Sequence, residues 1–224
     1  MPIRKNNTQA NLAYTDLKQR ITSGYFSAND RIRELDISAL LGISRTPVRE
    51  AIKRLEDEGL LTHEPRKGLV ITQLDQQAIT QLYALRELLE GGAARFAARY
   101  ADEVELDNMR AILMDGKRDG DPIKTNYEFH QAIYMASHNQ FLIKAINGLI
   151  DSISLLGQST LAHTGRPELA HQEHMAVLDA ICARDPDQAE ARARSHIRQA
   201  LLARLKLHRA GSAESPEKIE TVTP

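Results

Sequence analysis

The stretch from Glu34 to Glu58 constrains this chain most. Leu35, Ile37, Leu40 and Leu41 give a short apolar helix that stops at Gly42, and Ser44 opens a second helix running to about Glu58. Pro47 sits in the first turn of that helix, where a missing N–H costs nothing. Helix, glycine turn, helix is the helix-turn-helix pattern. The second helix has two faces. Val48, Ile52 and Leu55 are spaced for a core, whereas Arg45, Arg49 and Lys53, each four apart, form a basic stripe. A major-groove reader needs such a stripe on the second helix of the turn, and arginine pairs bidentately with guanine O6 and N7. Ser44 and Thr46 at the helix start can hydrogen-bond phosphates. The plainer alternative is a solvated charged face, as Glu56, Asp57 and Glu58 must be, with Glu50 and Arg54 as an i, i+4 pair.

The flanks favour the first reading. Leu12, Leu17 and Ile21 predict a helix over 11–23, stopped by Gly24. Leu60–His63 and Gly68–Ile71 read as two short strands joined by Glu64-Pro65-Arg66-Lys67, a wing whose Arg66 and Lys67 could reach DNA. Residues 1–72 hold 12 Lys/Arg against 9 Asp/Glu and the remainder 17 against 21, a mildly basic front on an acidic back.

The run Ile43-Ser44-Arg45-Thr46-Pro47-Val48-Arg49-Glu50-Ala51-Ile52, followed by Arg54-Leu55 and Glu58-Gly59-Leu60, resembles the signature of GntR-type regulators over about residues 10–72. The resemblance implies that Arg45, Thr46, Arg49 and the wing segment Lys67-Gly68 touch DNA. Two positions depart from the pattern. Ala28-Asn29-Asp30 stands where a glycine is usual, and Leu35 stands where some relatives place an arginine, with Arg33 nearby. Asn and Asp tolerate turns, so a variant turn is expected there.

From Asp75 onward the pattern is helical, with six helices expected at about 75–100, 102–115, 122–137, 140–157, 167–184 and 186–209. The fold expected is mainly α: a winged helix-turn-helix over 1–73, an all-helical bundle over 74–210, and a disordered tail over 211–224. Gly91-Gly92 inside the first of these helices implies close approach of a neighbour. Seven of the eight histidines follow residue 100. His130, which shares a face with Asn126, His174 and His196 lie well inside three different helices and could converge in a bundle interior, as bundle metal sites do. Taken singly, each is as readily a core or surface residue. Imidazole suits zinc, nickel, iron, copper or manganese over calcium. The lone Cys182 fits a reducing compartment, and without a leader-like segment or long apolar run a cytoplasmic protein off the membrane is expected.

Leu85-Arg86-Glu87-Leu88-Leu89-Glu90, Asn126-Tyr127-Glu128-Phe129-His130, Ala136-Ser137-His138-Asn139, Glu173-His174 and Ser195-His196-Ile197 resemble the FCD-type effector domain of the FadR branch of that family, nearest its vanillate-regulator subgroup. The resemblance implies a divalent metal, zinc first with nickel, iron or manganese as alternatives, held by Asn126, His130, His174 and His196. It also implies a small organic acid as effector, and a repressor. Asn126 replaces the usual aspartate, which leaves the site one unit more positive. Arg86 has two open readings: a clamp for the effector carboxylate, or an ion pair with Glu90. A homodimer on a roughly palindromic DNA operator follows from the helix-turn-helix reading. No carboxylate motif for a general base stands beside the histidines, so a non-enzyme is expected.

Overall fold

A computed structural model describes residues 3–26 and 30–213. Two compact units emerge: residues up to Leu74 with Asn147–Gly157, and Asp75–Ile146 with the chain from Gln158 on.

The first unit begins with α1 (Ile3–Thr22), which starts eight residues ahead of the predicted helix because no proline or glycine interrupts 3–11. It bears Ala13, Leu17 and Ile21 on its buried side. α2 (Glu34–Leu41) ends at Gly42, whose φ of 65° is left-handed and whose N–H closes on the Ser38 carbonyl. α3 (Arg45–Asp57) buries Pro47, Val48, Ala51, Ile52 and Leu55 against α1 and α2. β1 (Leu61–Glu64) and β2 (Gly68–Ile71) pair antiparallel, from Leu61 opposite Ile71 to Glu64 opposite Gly68. Arg31 adds a bridge to Val70, so the link before α2 extends the wing's edge. Of the variant link turn, Ala28 and Asn29 lie outside the described residues.

The six helices expected from Asp75 onward are α4 (Gln76–Tyr100), α5 (Glu103–Asp119), α6 (Pro122–Ala136), α7 (Gln140–Ser154), α8 (Arg166–Cys182) and α9 (Pro186–Ala213). A 3-10 turn, Thr160–Ala162, precedes α8. Side chains set the starts: Asp75 accepts from the Ala78 N–H, Asp102 and Glu105 form a reciprocal capping box, and Asp121 accepts from Ile123 and Lys124. α5 runs past its expected end. Gly116 does not terminate it; a Cβ there would strike the Thr125 side chain, so this glycine lets α6 approach, and Gly120 at φ 76° is the terminator. α4 and α9 pack through small residues, Ala93, Ala94 and Ala97 near Ala189 and Ala193, and a Cβ on Gly91 would meet Arg194 Cγ at 2.6 Å. Gly92 faces open space and has no such reason. Residues 211–213 close α9, and the rest of the expected tail lies outside the described residues. Among the described residues no helix is long and apolar enough to cross a membrane.

Candidate functional site

Two sets of side chains carry chemistry. On α3, Ser44, Arg45, Thr46, Arg49 and Lys53 are all exposed. Ser44 is the N-cap residue by backbone shape, but its hydroxyl makes no capping hydrogen bond. Glu34 on α2 grips two of the arginines: Oε1 accepts from Arg49 Nε at 2.8 Å, and Oε2 from Arg49 Nη2 at 2.9 Å and Arg45 Nη2 at 3.1 Å. The Arg49 hydrogen bonds, with burial opposing and Arg45 adding, lower the Glu34 carboxyl to about 2. Arg54 does not pair with Glu50 as expected. It bonds Asn11 Oδ1 at 2.8 Å and lies 3.7 Å over the Tyr14 ring, because α1 packs against that side of α3. On the wing, Arg66 (φ 68°) and Lys67 are exposed, Lys67 pairs with Glu64 at 2.7 Å, and Gly68 (φ 84°) carries the Arg31 guanidinium against its backbone.

In the second unit the structure brings His130 of α6, His174 of α8 and His196 of α9 together. His196 Nε2 lies 3.2 Å from His130 Nε2 and 3.3 Å from His174 Nε2. On the far side of two rings stand carboxylates: Glu90 Oε2 is 2.8 Å from His130 Nδ1, and Glu173 Oε2 is 2.7 Å from His196 Nδ1. Glu90, 4% exposed, also accepts from Arg86 Nε at 2.9 Å and the Tyr134 hydroxyl at 2.8 Å. Glu173 takes a forked pair from Arg166. Burial pushes the Glu90 carboxyl up, yet Arg86, His130 and Tyr134 together hold it below the usual carboxylate range. Burial opposes the lowering at Glu173 as well, where His196 and Arg166 prevail.

Those carboxylates assign the tautomers. An ionised carboxylate only accepts, so Nδ1 of His130 and of His196 carries a proton, which leaves Nε2 as the nitrogen of each ring that could ligate. Burial, reinforced by neighbouring His196 and His130, pushes His174 well below the ordinary imidazole range. Burial likewise lowers His196 against the pull of Glu173, so both are neutral. The three Nε2 atoms thus converge, with His196 Nε2 lying 3.2 Å from that of His130 and 3.3 Å from that of His174. Nitrogens about 2.0–2.1 Å from one ion at a roughly tetrahedral angle stand about 3.3 Å apart, which matches the observed spacings. The cavity they share with Phe129, Ile133, Val177 and Ile197 has a volume of about 10 Å³, room for one ion or water. The donor set, its spacing and its carboxylate backing therefore fit a divalent transition metal.

Asn126, one turn before His130, makes no hydrogen bond to the triad among the described residues and lines a cleft of about 490 Å³ with Lys117, Thr125, His171 and His174. Arg86 is engaged with Glu90, the second of its two readings, and is not among the residues lining either cavity. The sequence reading missed Glu34, Arg31, Glu90 and Glu173 as site residues. Glu173 was legible only as the neighbour of His174, and Glu90 only as the fourth residue after Arg86; their reach to histidines on other helices is tertiary.

Residues 9–71 match the family model described as bacterial regulatory proteins, gntR family, and residues 81–199 match the FCD domain. The chain is 30% identical over 195 residues to the HTH-type transcriptional regulator YdhC of Bacillus subtilis, covering 82% of this chain and 85% of that one. It is 24% identical to the HTH-type transcriptional repressor RspR of Escherichia coli, over 83% of this chain and 84% of that one. Its fold is similar to that of E. coli McbR/YncC, with a TM-score of 0.70 at 22% identity, covering 89% of this chain and 98% of that one. A winged helix-turn-helix followed by a helical body, each matching its own family model, makes the chain a member of the GntR family in its FCD branch, a DNA-binding transcriptional regulator.

Proposed function

We propose that this regulator is a repressor whose grip on its operator is set by a small organic acid bound beside a metal in the helical unit. The convergence of three imidazole nitrogens in a cavity of about 10 Å³ carries the reading. Held there by His130, His174 and His196, a divalent ion supplies Lewis acidity and open positions for an anionic oxygen. The chain's own residues do the rest. Glu90 and Glu173 keep two rings in the ligating tautomer, with Arg86, Tyr134 and Arg166 fixing the carboxylates in turn. The small cavity has no room for a whole acid beside an ion, so the body of the acid lies in the cleft lined by Asn126, His171 and His174, with its anionic oxygen toward the ion past His174, which borders both spaces. Asn126 presents a neutral amide where a carboxylate would repel the acid.

Through the first unit, two chains pair as a homodimer and set their α3 helices in successive major grooves of a roughly palindromic operator, with Arg66 and Lys67 on the flanking backbone. The acid acts through its differential affinity for the DNA-competent arrangement and its alternative. The name of RspR is what favours repression over activation.

The test is a thermal-shift screen of mono-, di- and tricarboxylates against zinc-loaded and chelator-treated protein. A ligand of the folded state alone raises its melting temperature by mass action. An acid that does so only with metal present, and that also releases the protein from DNA, is the expected result. Stabilisation by zinc with no response to any acid would leave the metal a purely structural part and sink the sensor reading.

A further inference from the structure

The bonding around Glu34 does more than join α2 to α3. Glu34 is the first residue of α2, and its carboxylate reaches the exposed face of α3, where it takes both Nε–H and Nη2–H of Arg49 in a fork and one Nη2–H of Arg45. The Arg45 and Arg49 side chains remain 55% and 65% exposed while that of Glu34 is 28% exposed, so the acid is the more covered partner and the arginines stay open to solvent. A guanidinium is planar with donors on fixed edges. With its Nε–Nη2 edge on Glu34, Arg49 presents the Nη1–Nη2 edge outward, and that edge can still pair with guanine O6 and N7.

Exposed ion pairs of this kind contribute little to stability. A carboxylate on a DNA-facing surface also weakens attraction to every duplex, whatever its sequence. Glu34 is therefore badly placed for either stability or bulk affinity. It is well placed to remove the conformational freedom of a base-reading arginine before the DNA arrives.

We infer that Glu34 is a positioning residue for sequence discrimination: it fixes Arg49 so that a preset guanidinium edge meets the bases. The inference rests on the proposed reading of α3 as the base-reading helix.

The experiment uses the full chain at fixed salt. Selection from a randomised duplex pool with the wild type supplies the preferred sequence. Wild type, Glu34→Ala and Glu34→Gln are then titrated against that duplex and against a mixed-sequence duplex. Glu34→Ala should bind mixed sequence as well or better and the selected duplex less well. Its discrimination ratio should fall about tenfold, with the loss confined to base pairs whose preference Arg49→Ala also erases. Glu34→Gln, which keeps one acceptor oxygen without the charge, should fall between. In an Arg49→Ala background, Glu34→Ala should change the ratio no further. A ratio within about twofold of wild type in both variants overturns the inference, as does a loss spread evenly over all base pairs, the mark of a merely structural role. Melting temperatures check folding, and if Glu34→Ala does not fold, Glu34→Gln decides by the same criterion. A wild type that selects no sequence overturns this inference and base reading by α3 together, and is recognised because the unmutated chain itself fails.

Discussion

Glu173 shows how much a single side chain is asked to do. Its carboxylate holds the Nδ1–H of His196 at 2.7 Å and is held in turn by the fork of Arg166. Changing the acid to its amide keeps the shape but removes the charge that favours the Nδ1–H tautomer and raises the basicity of the ligating nitrogen. Partners of this kind typically contribute about 10–100-fold to metal affinity. Glu173→Gln should therefore weaken zinc binding by about that factor in a competition titration with a chromophoric chelator, with little change in far-ultraviolet circular dichroism. Unchanged affinity would mean that His196 does not ligate.

Among the elements, α4 poses the clearest question, because it carries two adjacent glycines in surroundings of opposite kind. At Gly91 an added methyl would meet Arg194 Cγ at 2.6 Å, and Arg194 is itself tied to Glu87 and Glu190; at Gly92 the methyl meets nothing. Gly91→Ala should cost about 1–3 kcal/mol from overpacking, whereas Gly92→Ala should gain up to about 1 kcal/mol from helix propensity. Urea unfolding of the two variants, read as opposite shifts in midpoint, checks the pair. From sequence the two glycines were indistinguishable, and the contrast marks what was legible. Helices were, since apolar spacing and the Asp75, Asp102 and Asp121 caps are local. The beginning of α1 was not, since nothing in its sequence marks a start, nor was the role of Gly116, which depends on Thr125 from the next helix. The same boundary divides the site. The histidines could be picked out as interior residues of separate helices, but Glu90 and Glu34 act on partners 40 and 15 positions away along the chain.

For the whole molecule, the near-zero net charge conceals a basic head and an acidic remainder. Attraction to duplex DNA then comes from a few side chains, and each phosphate contact adds about one unit to the salt dependence. Lys67→Ala should weaken binding to all sequences about equally and reduce the slope of log affinity against log salt by about 1 per chain; an unchanged slope would place the wing off the backbone. The cavity of about 10 Å³ among α6, α8 and α9 has a temporal consequence. An ion held there by side chains of three helices and flanked by Phe129, Ile133, Val177 and Ile197 would leave slowly, since three bonds must loosen together. A solute in the neighbouring cleft of about 490 Å³ faces no such constraint. One site would thus keep its occupant over much of a molecule's lifetime while the other refills from moment to moment, so the protein would carry its metal as a record of how it was assembled and read the acid as news.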